Sequence, residues 1–238
     1  MFLSVEDVAA GYGRIEVLHG ISIEVPEGVQ VGLFGPNGHG KTTLLRVISG
    51  LLPARGGRVR FGAVDLTGVG PERIVDAGII HVPQGSTLFP RMTVLEVLTL
   101  GAYTTRAWQQ RRENFEKVFA LFPRLAERRG QQCRTLSGGE RQMAAIAIGL
   151  MGSPRLLMLD EPTLGLAPKV RTELEQRIRA IAESGVSMIV VDQDVELLFG
   201  LCRRLYLIEQ GRVSLDVADR GEMQHHEVLH RYFGAAHA

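Results

Sequence analysis

The sequence predicts an α/β protein: a parallel-sheet core, an antiparallel β subdomain at the N-terminal end, and an inserted helical subdomain. Apolar runs of strand length alternate with helical patterns at both ends of the chain, the arrangement that builds a parallel sheet flanked by helices. From about Thr93 to Met151 the apolar residues recur instead at helical spacing, with few strand signals. The apolar run 29–34 feeds Gly35-Pro36-Asn37-Gly38-His39-Gly40-Lys41-Thr42-Thr43, which is a strand leading through a glycine-rich loop into a helix.

The elements follow in order. Before Val29 the chain reads as short strands; residues 21–25 alternate with period two and stop at Pro26-Glu27-Gly28. A helix begins near Lys41 and carries an amphipathic stretch over 44–49. Residues 58–61, after Gly56-Gly57, and 78–82, before Pro83, read as strands. Thr93 caps a helix over 94–102, with Glu96 at the capping-box position. A longer amphipathic helix covers 108–122 and closes at Pro123. Strand, helix and strand resume at 156–159, 168–184 and 187–191. The expected organisation is one domain over 1–238, with lobes 1–85 and 156–238 forming the core and 86–155 the helical subdomain.

The composition excludes several classes. Hydrophobic residues make up 45% and charged residues 22%, ordinary for a globular chain that buries a core. A net charge of +1 provides no basic field to recruit nucleic acid. The pairs Arg111-Arg112 and Arg128-Arg129 sit beside acids and read as solvated surface. Cys133 and Cys202 lack metal-like spacing and read as packing residues of a reduced, cytosolic chain. The N-terminus does not read as a signal peptide, and the apolar stretches are too short to span a bilayer, so a membrane role would come through a partner.

The chemistry lies in three segments. In the first, glycines let the backbone turn tightly, so that successive N–H groups face the β- and γ-phosphates of a nucleoside triphosphate. The helix start and the Lys41 ammonium add positive charge, and the Thr42 hydroxyl is suited to Mg²⁺. His39 holds the variable position and reads as loop filler. In the second, Leu156-Leu157-Met158-Leu159-Asp160-Glu161 is a strand delivering two acids at its carboxyl end. Asp160 is suited to hold Mg²⁺, and Glu161 to act as general base on the attacking water. In the third, Leu136-Ser137-Gly138-Gly139-Glu140-Arg141-Gln142 opens a helix whose N–H groups and Ser137 hydroxyl can bind a further anion, economically a nucleotide held by another subunit.

With these motifs in order and at fitting gaps, the chain resembles the ATP-binding cassette ATPases over nearly its whole length. That resemblance implies a P-loop NTPase core, ATP and Mg²⁺ as ligands, and two cassettes closing head-to-tail over two ATP molecules. It implies that Ser137, Gly138 and Gly139 complete the partner's site, that Tyr12 stacks on adenine, and that Gln84 senses Mg²⁺ and couples to the membrane partner. Four segments are similar to the ATPase subunits of bacterial branched-chain amino acid importers: 121–125, Gly85 through Phe89-Pro90, 164–168, and Arg231-Tyr232-Phe233-Gly234. Related ATPases serve urea and short-chain amide importers, so the cargo stays open. The subgroup implies two integral permeases, a second cassette ATPase, an extracytoplasmic binding protein, no nucleic acid, and a peripheral place on the cytoplasmic face of the inner membrane.

The chain departs from the family pattern at three positions. Gln193 stands where many members place a histidine against the γ-phosphate; it can donate a hydrogen bond but carries no ionisable proton. Ala167 stands where many have an aspartate that organises the two sites, and Ile148 where the subgroup often has an arginine. Gln193 and Ala167 support an alternative, an ATP-binding regulatory subunit with weak hydrolysis. A soluble cassette acting on ribosomes or DNA has only the family fold in its favour.

Overall fold

A computed structural model describes residues 2–85 and 88–219. In chain order its elements are β1 (Leu3–Tyr12), β2 (Ile15–Val25), β3 (Gln30–Phe34), α1 (Lys41–Ile48), β4 (Gly56–Phe61), β5 (Val64–Asp65), α2 (Pro71–Ala77) and β6 (Ile79–Val82), followed by α3 (Val94–Gly101), α4 (Thr105–Leu121) and α5 (Pro123–Glu127). After a short 3₁₀ turn come α6 (Gly138–Met151), β7 (Leu156–Asp160), α7 (Pro168–Glu183), β8 (Ser187–Val191), α8 (Val195–Leu201), β9 (Arg204–Glu209) and β10 (Arg212–Val217). The chain forms two compact units, one of Met1–Pro71 with Ser187–Ala238 and one of Glu72–Val186.

The first unit holds an antiparallel sheet of order β2-β1-β4-β5, as expected for the N-terminal β subdomain. Its strands are longer than the sequence reading implied: β1 has 10 residues and β2 has 11, with register shifts along their pairing. The same unit places β3 in parallel register with both β8 and β9; Val31 stands opposite Ile189 on one side and Arg204 on the other. Val31, Leu33 and Phe34 are all fully buried, the near-continuous apolar run of a strand covered on both faces. β10 adds antiparallel to β9, so the core sheet is mixed. The Tyr206 hydroxyl accepts the Glu24 N–H at 3.0 Å, and burial pushes its ionisation up to about 12.

The second unit pairs β6 and β7 in parallel, Ile79 opposite Leu156 through Val82 opposite Leu159. All five residues of β7 are buried. Its helices follow the predicted caps. Thr93 accepts from the Glu96 N–H and Glu96 returns the bond, the capping box that opens α3. Thr104 caps α4, and Pro123 starts α5 where the preceding helix stops. α3 lies so close to α6 that a Cβ on Gly101 would meet the Ile148 carbonyl oxygen at 2.5 Å.

Cys133 and Cys202 are both buried and neither forms a disulfide; burial raises the Cys133 thiol. Among the described residues no helix is long and apolar enough to cross a membrane. The segment Arg231 to Gly234, and Ser86 and Thr87 within the stretch starting at Gly85, lie outside the described residues.

Candidate functional site

In the first unit β3 ends at Phe34 and the chain turns through Gly35 at φ 139°, where a Cβ would lie 2.1 Å from the Ile208 carbonyl oxygen. Gly40, at φ 108°, is the N-cap of α1, and a Cβ there would lie 2.7 Å from Leu18 Cδ2. Only glycine fits both places. No side chain caps α1. By contrast α3, α4, α6 and α8 are capped by Thr93, Thr104, Ser137 and Asp194. A helix start without a side-chain cap presents its N–H dipoles to an anion.

Lys41 is only 4% exposed, and its Nζ donates to the carbonyls of Gly35 at 2.7 Å and Pro36 at 2.9 Å. Burying an ammonium is costly unless it is compensated. Both carbonyls belong to the loop, so the ammonium is held among the glycine-rich residues at the start of α1, an arrangement that fits a polyphosphate. Thr42 is half-buried and Thr43 buried at the same helix start. His39 proves more than filler. Its Nδ1 accepts the Gln210 N–H at 3.1 Å, its carbonyl accepts the Gly211 N–H at 3.1 Å, and the Gly211 carbonyl accepts the His19 N–H at 2.8 Å. The loop is thereby moored to the β9–β10 turn.

Tyr12 ends β1 and is 41% exposed. Its hydroxyl accepts from Arg46 Nη1 at 2.9 Å, and the guanidinium lies 5.9 Å from the ring centroid. Gln193 follows β8 and is exposed. The acids flanking it fold back on the chain: Asp192 Oδ1 accepts the Asp194 N–H at 3.0 Å, and Asp194 Oδ1 accepts the Leu197 N–H at 3.0 Å. They fix the turn that presents the Gln193 amide.

In the second unit β7 delivers Asp160, 2% exposed, and then Glu161. Glu161 has φ 47°, a left-handed conformation costing a non-glycine residue about 1–3 kcal/mol and found preferentially at functional sites. Gln84 Nε2 donates to Glu161 Oε2 at 2.9 Å. The structure thus brings together two residues predicted on separate grounds.

Ser137 caps α6, its hydroxyl accepting the Glu140 N–H at 3.3 Å while Glu140 Oε2 accepts the Ser137 N–H at 2.8 Å. Arg128, read from sequence as solvated surface, instead pairs with the largely buried Glu140 at 2.9 Å. Burial pushes the Glu140 carboxyl up, but the hydrogen bonds from Ser137 and the charges of Arg128 and Arg124 outweigh it and hold the group below its usual value. A Cβ on Gly139 would sit 2.2 Å from Val170 Cγ1 of α7, whereas at Gly138 the nearest atom is Arg141 Nη2 at 4.0 Å. Gly139 is required by packing and Gly138 is not. Sequence reasoning missed Arg46, Arg128, Glu140 and Gln210. Only Glu140 had a signal, its place three residues after Ser137.

The protein-family model described as ABC transporter matches residues 18–164. The high-affinity branched-chain amino acid transport ATP-binding protein BraG of Pseudomonas aeruginosa is 38% identical over 98% of this chain and 99% of its own length. The glutamine transport ATP-binding protein GlnQ of Escherichia coli is 33% identical, over 89% of each chain. A crystal structure of the ADP conformation of an ATP-binding cassette of an ABC transporter matches with a TM-score of 0.80 and 27% identity, covering 93% of this chain and 92% of that one.

Proposed function

Since this chain belongs to the ABC transporter family and is an ATPase subunit of it, we propose that it is the ATP-hydrolysing motor of an importer for branched-chain or related amino acids. The observation that carries the catalytic reading is the phosphate loop, with α1 lacking a side-chain cap behind a buried Lys41. Gly35 through Thr43 cradle the β- and γ-phosphates, and the Lys41 ammonium moves from loop carbonyls onto phosphate oxygen. Tyr12 offers its ring to adenine. Thr42, Asp160 and Gln84 would hold Mg²⁺, which when bound neutralises phosphate charge and aligns the oxygens. Glu161 takes a proton from the water that attacks the γ-phosphorus; the bond to the bridging oxygen breaks, releasing ADP and phosphate. Gln193 donates its amide N–H to a γ-phosphate oxygen. Ser137, Gly138 and Gly139 serve the nucleotide of a second cassette subunit.

The cargo reading rests on the likeness to BraG; the likeness to GlnQ makes it a reading of the subgroup and not of the family. Permeases, an extracytoplasmic binding protein and a peripheral position on the cytoplasmic face of the membrane follow from the same reading. The test is recovery of tagged Glu161→Gln protein from native membranes with Mg-ATP, its partners identified by mass spectrometry. Two permeases and a second cassette ATPase are expected, with leucine uptake by the reconstituted wild-type assembly. Recovery with ribosomes, DNA or no partner overturns the transport reading; uptake of urea without leucine overturns the cargo.

A further inference from the structure

The second unit contains a cavity of about 630 Å³, within the size range of small-molecule sites. α4, the turn around Ser153 and α7 form its walls. Its charged lining is of one sign: Arg106, Lys117 and Arg155 contribute, and no aspartate or glutamate does. The rest is mainly apolar, with Leu121, Leu150 and Ile181 among the walls.

Arg106 is the informative residue. One guanidinium nitrogen, Nη2, donates to the Ser153 carbonyl at 2.9 Å, which fixes the side chain in place. Its Nε is buried and has no hydrogen-bond partner among the described residues. Arg106 as a whole is half-buried, so an anion in the cavity meets its guanidinium charge even though Nε itself is closed off. The turn is further held by Asn114, whose Nδ2 donates to Ser153 Oγ at 2.7 Å and to the Met151 carbonyl at 3.1 Å. Ser153 itself has φ 51°. Arg106 is therefore presented from a wall already tied down, so a ligand would not have to order it. Lys117 is more solvated and pairs with Glu113 at 2.7 Å, which makes it the weaker contributor.

We propose that this cavity binds a small organic anion, a carboxylate or phosphate head on an apolar body, with the head at Arg106 and the body against Leu121, Leu150 and Ile181. The missing acid decides against an amino acid. The ammonium of a zwitterion would meet cations and no acid in the lining, and Glu113, beside it, is already paired with Lys117. The site is distinct from the nucleotide residues, and its test does not depend on the ATPase reading.

The experiment is isothermal titration of the purified full chain with octanoate, octyl phosphate, inorganic phosphate and leucine. Octanoate or octyl phosphate is expected to bind saturably at one site, and the tighter of the two names the head group. Arg106→Gln is expected to weaken that binding about tenfold or more, and Lys117→Gln only about twofold to threefold. Leu121→Trp, which fills the cavity without touching the Ser153 tie, is expected to abolish it, and this covers the case in which Arg106→Gln fails to fold. No saturable binding of either amphipathic anion overturns the proposal. So does unchanged affinity in both Arg106→Gln and Leu121→Trp, or inorganic phosphate or leucine binding as tightly as the tighter of the two amphipathic anions.

Discussion

Gln84 and Glu161 meet because each lies two residues beyond a paired position: Val82 of β6 stands opposite Leu159 of β7, and Gln84 Nε2 reaches Glu161 Oε2 at 2.9 Å. The parallel register carries the amide to the carboxylate. Gln84→Ala removes the group that orients the proposed base, and turnover is expected to fall about tenfold to a hundredfold with nucleotide affinity much less affected. Phosphate-release rates, beside fluorescent-nucleotide titrations, check turnover and affinity separately. Unchanged turnover in Gln84→Ala removes the orienting role.

The two glycines after Ser137 are expected to part company. Gly139→Ala drives a methyl into Val170 and should cost about 1–3 kcal/mol of stability, partly restored by adding Val170→Ala. Gly138→Ala has room, so its stability should stay within about 0.5 kcal/mol of wild type while ATP-driven dimer formation weakens. Denaturant midpoints and light scattering with Mg-ATP separate the two effects.

Ala167 occupies the N-cap of α7 with φ −62° and ψ 147° and offers no side-chain acceptor, while Pro168 follows inside the first turn. The backbone is already in the capping conformation. Ala167→Asp is expected to stabilise the protein by about 0.5–2 kcal/mol through a hydrogen bond to a first-turn N–H and the favourable dipole. Urea denaturation measures it; a loss of stability would show that the carboxylate does not reach the helix.

Glu140 gives the α6 start a pH dependence. Its carboxyl titrates below the usual value in the folded protein, so the stability it contributes is present above the unfolded carboxylate range, about pH 4.3, and is lost as pH falls through the folded value. Wild type should lose stability more steeply than Glu140→Gln on acidification from about pH 5 to pH 3. Parallel slopes in urea midpoints across that range would remove Glu140 as the responsible group.

Legibility in the sequence tracked how local the physics was. The phosphate loop, the Thr93–Glu96 capping box and the strand ending in Asp160 are contiguous patterns that a local reading can recognise, and all were readable. β9 and β10 were not named. The turn joining them puts Gln210 at φ 48°, a conformation glycine or asparagine would announce and glutamine does not. β5 and α8 were too short to give a period. In the site, Gln84 and Glu161 were each assigned a role, but their bond joins residues 77 apart and depends on strand register. Arg128 was misread for the same reason, since its acid partner is Glu140 and not a neighbour on its own helix face.

The mooring of His39 to the turn at Gln210 and Gly211 bears on how the protein is made. All residues of the phosphate loop have been synthesised by Thr43, yet the amide that meets the His39 ring comes 171 positions after His39, and both strands flanking β3 also lie beyond residue 186. A nascent chain halted partway has the loop's letters without its supports. The loop's supports are thus postponed until the β9–β10 turn has been made, and products terminated before that turn lack its moorings.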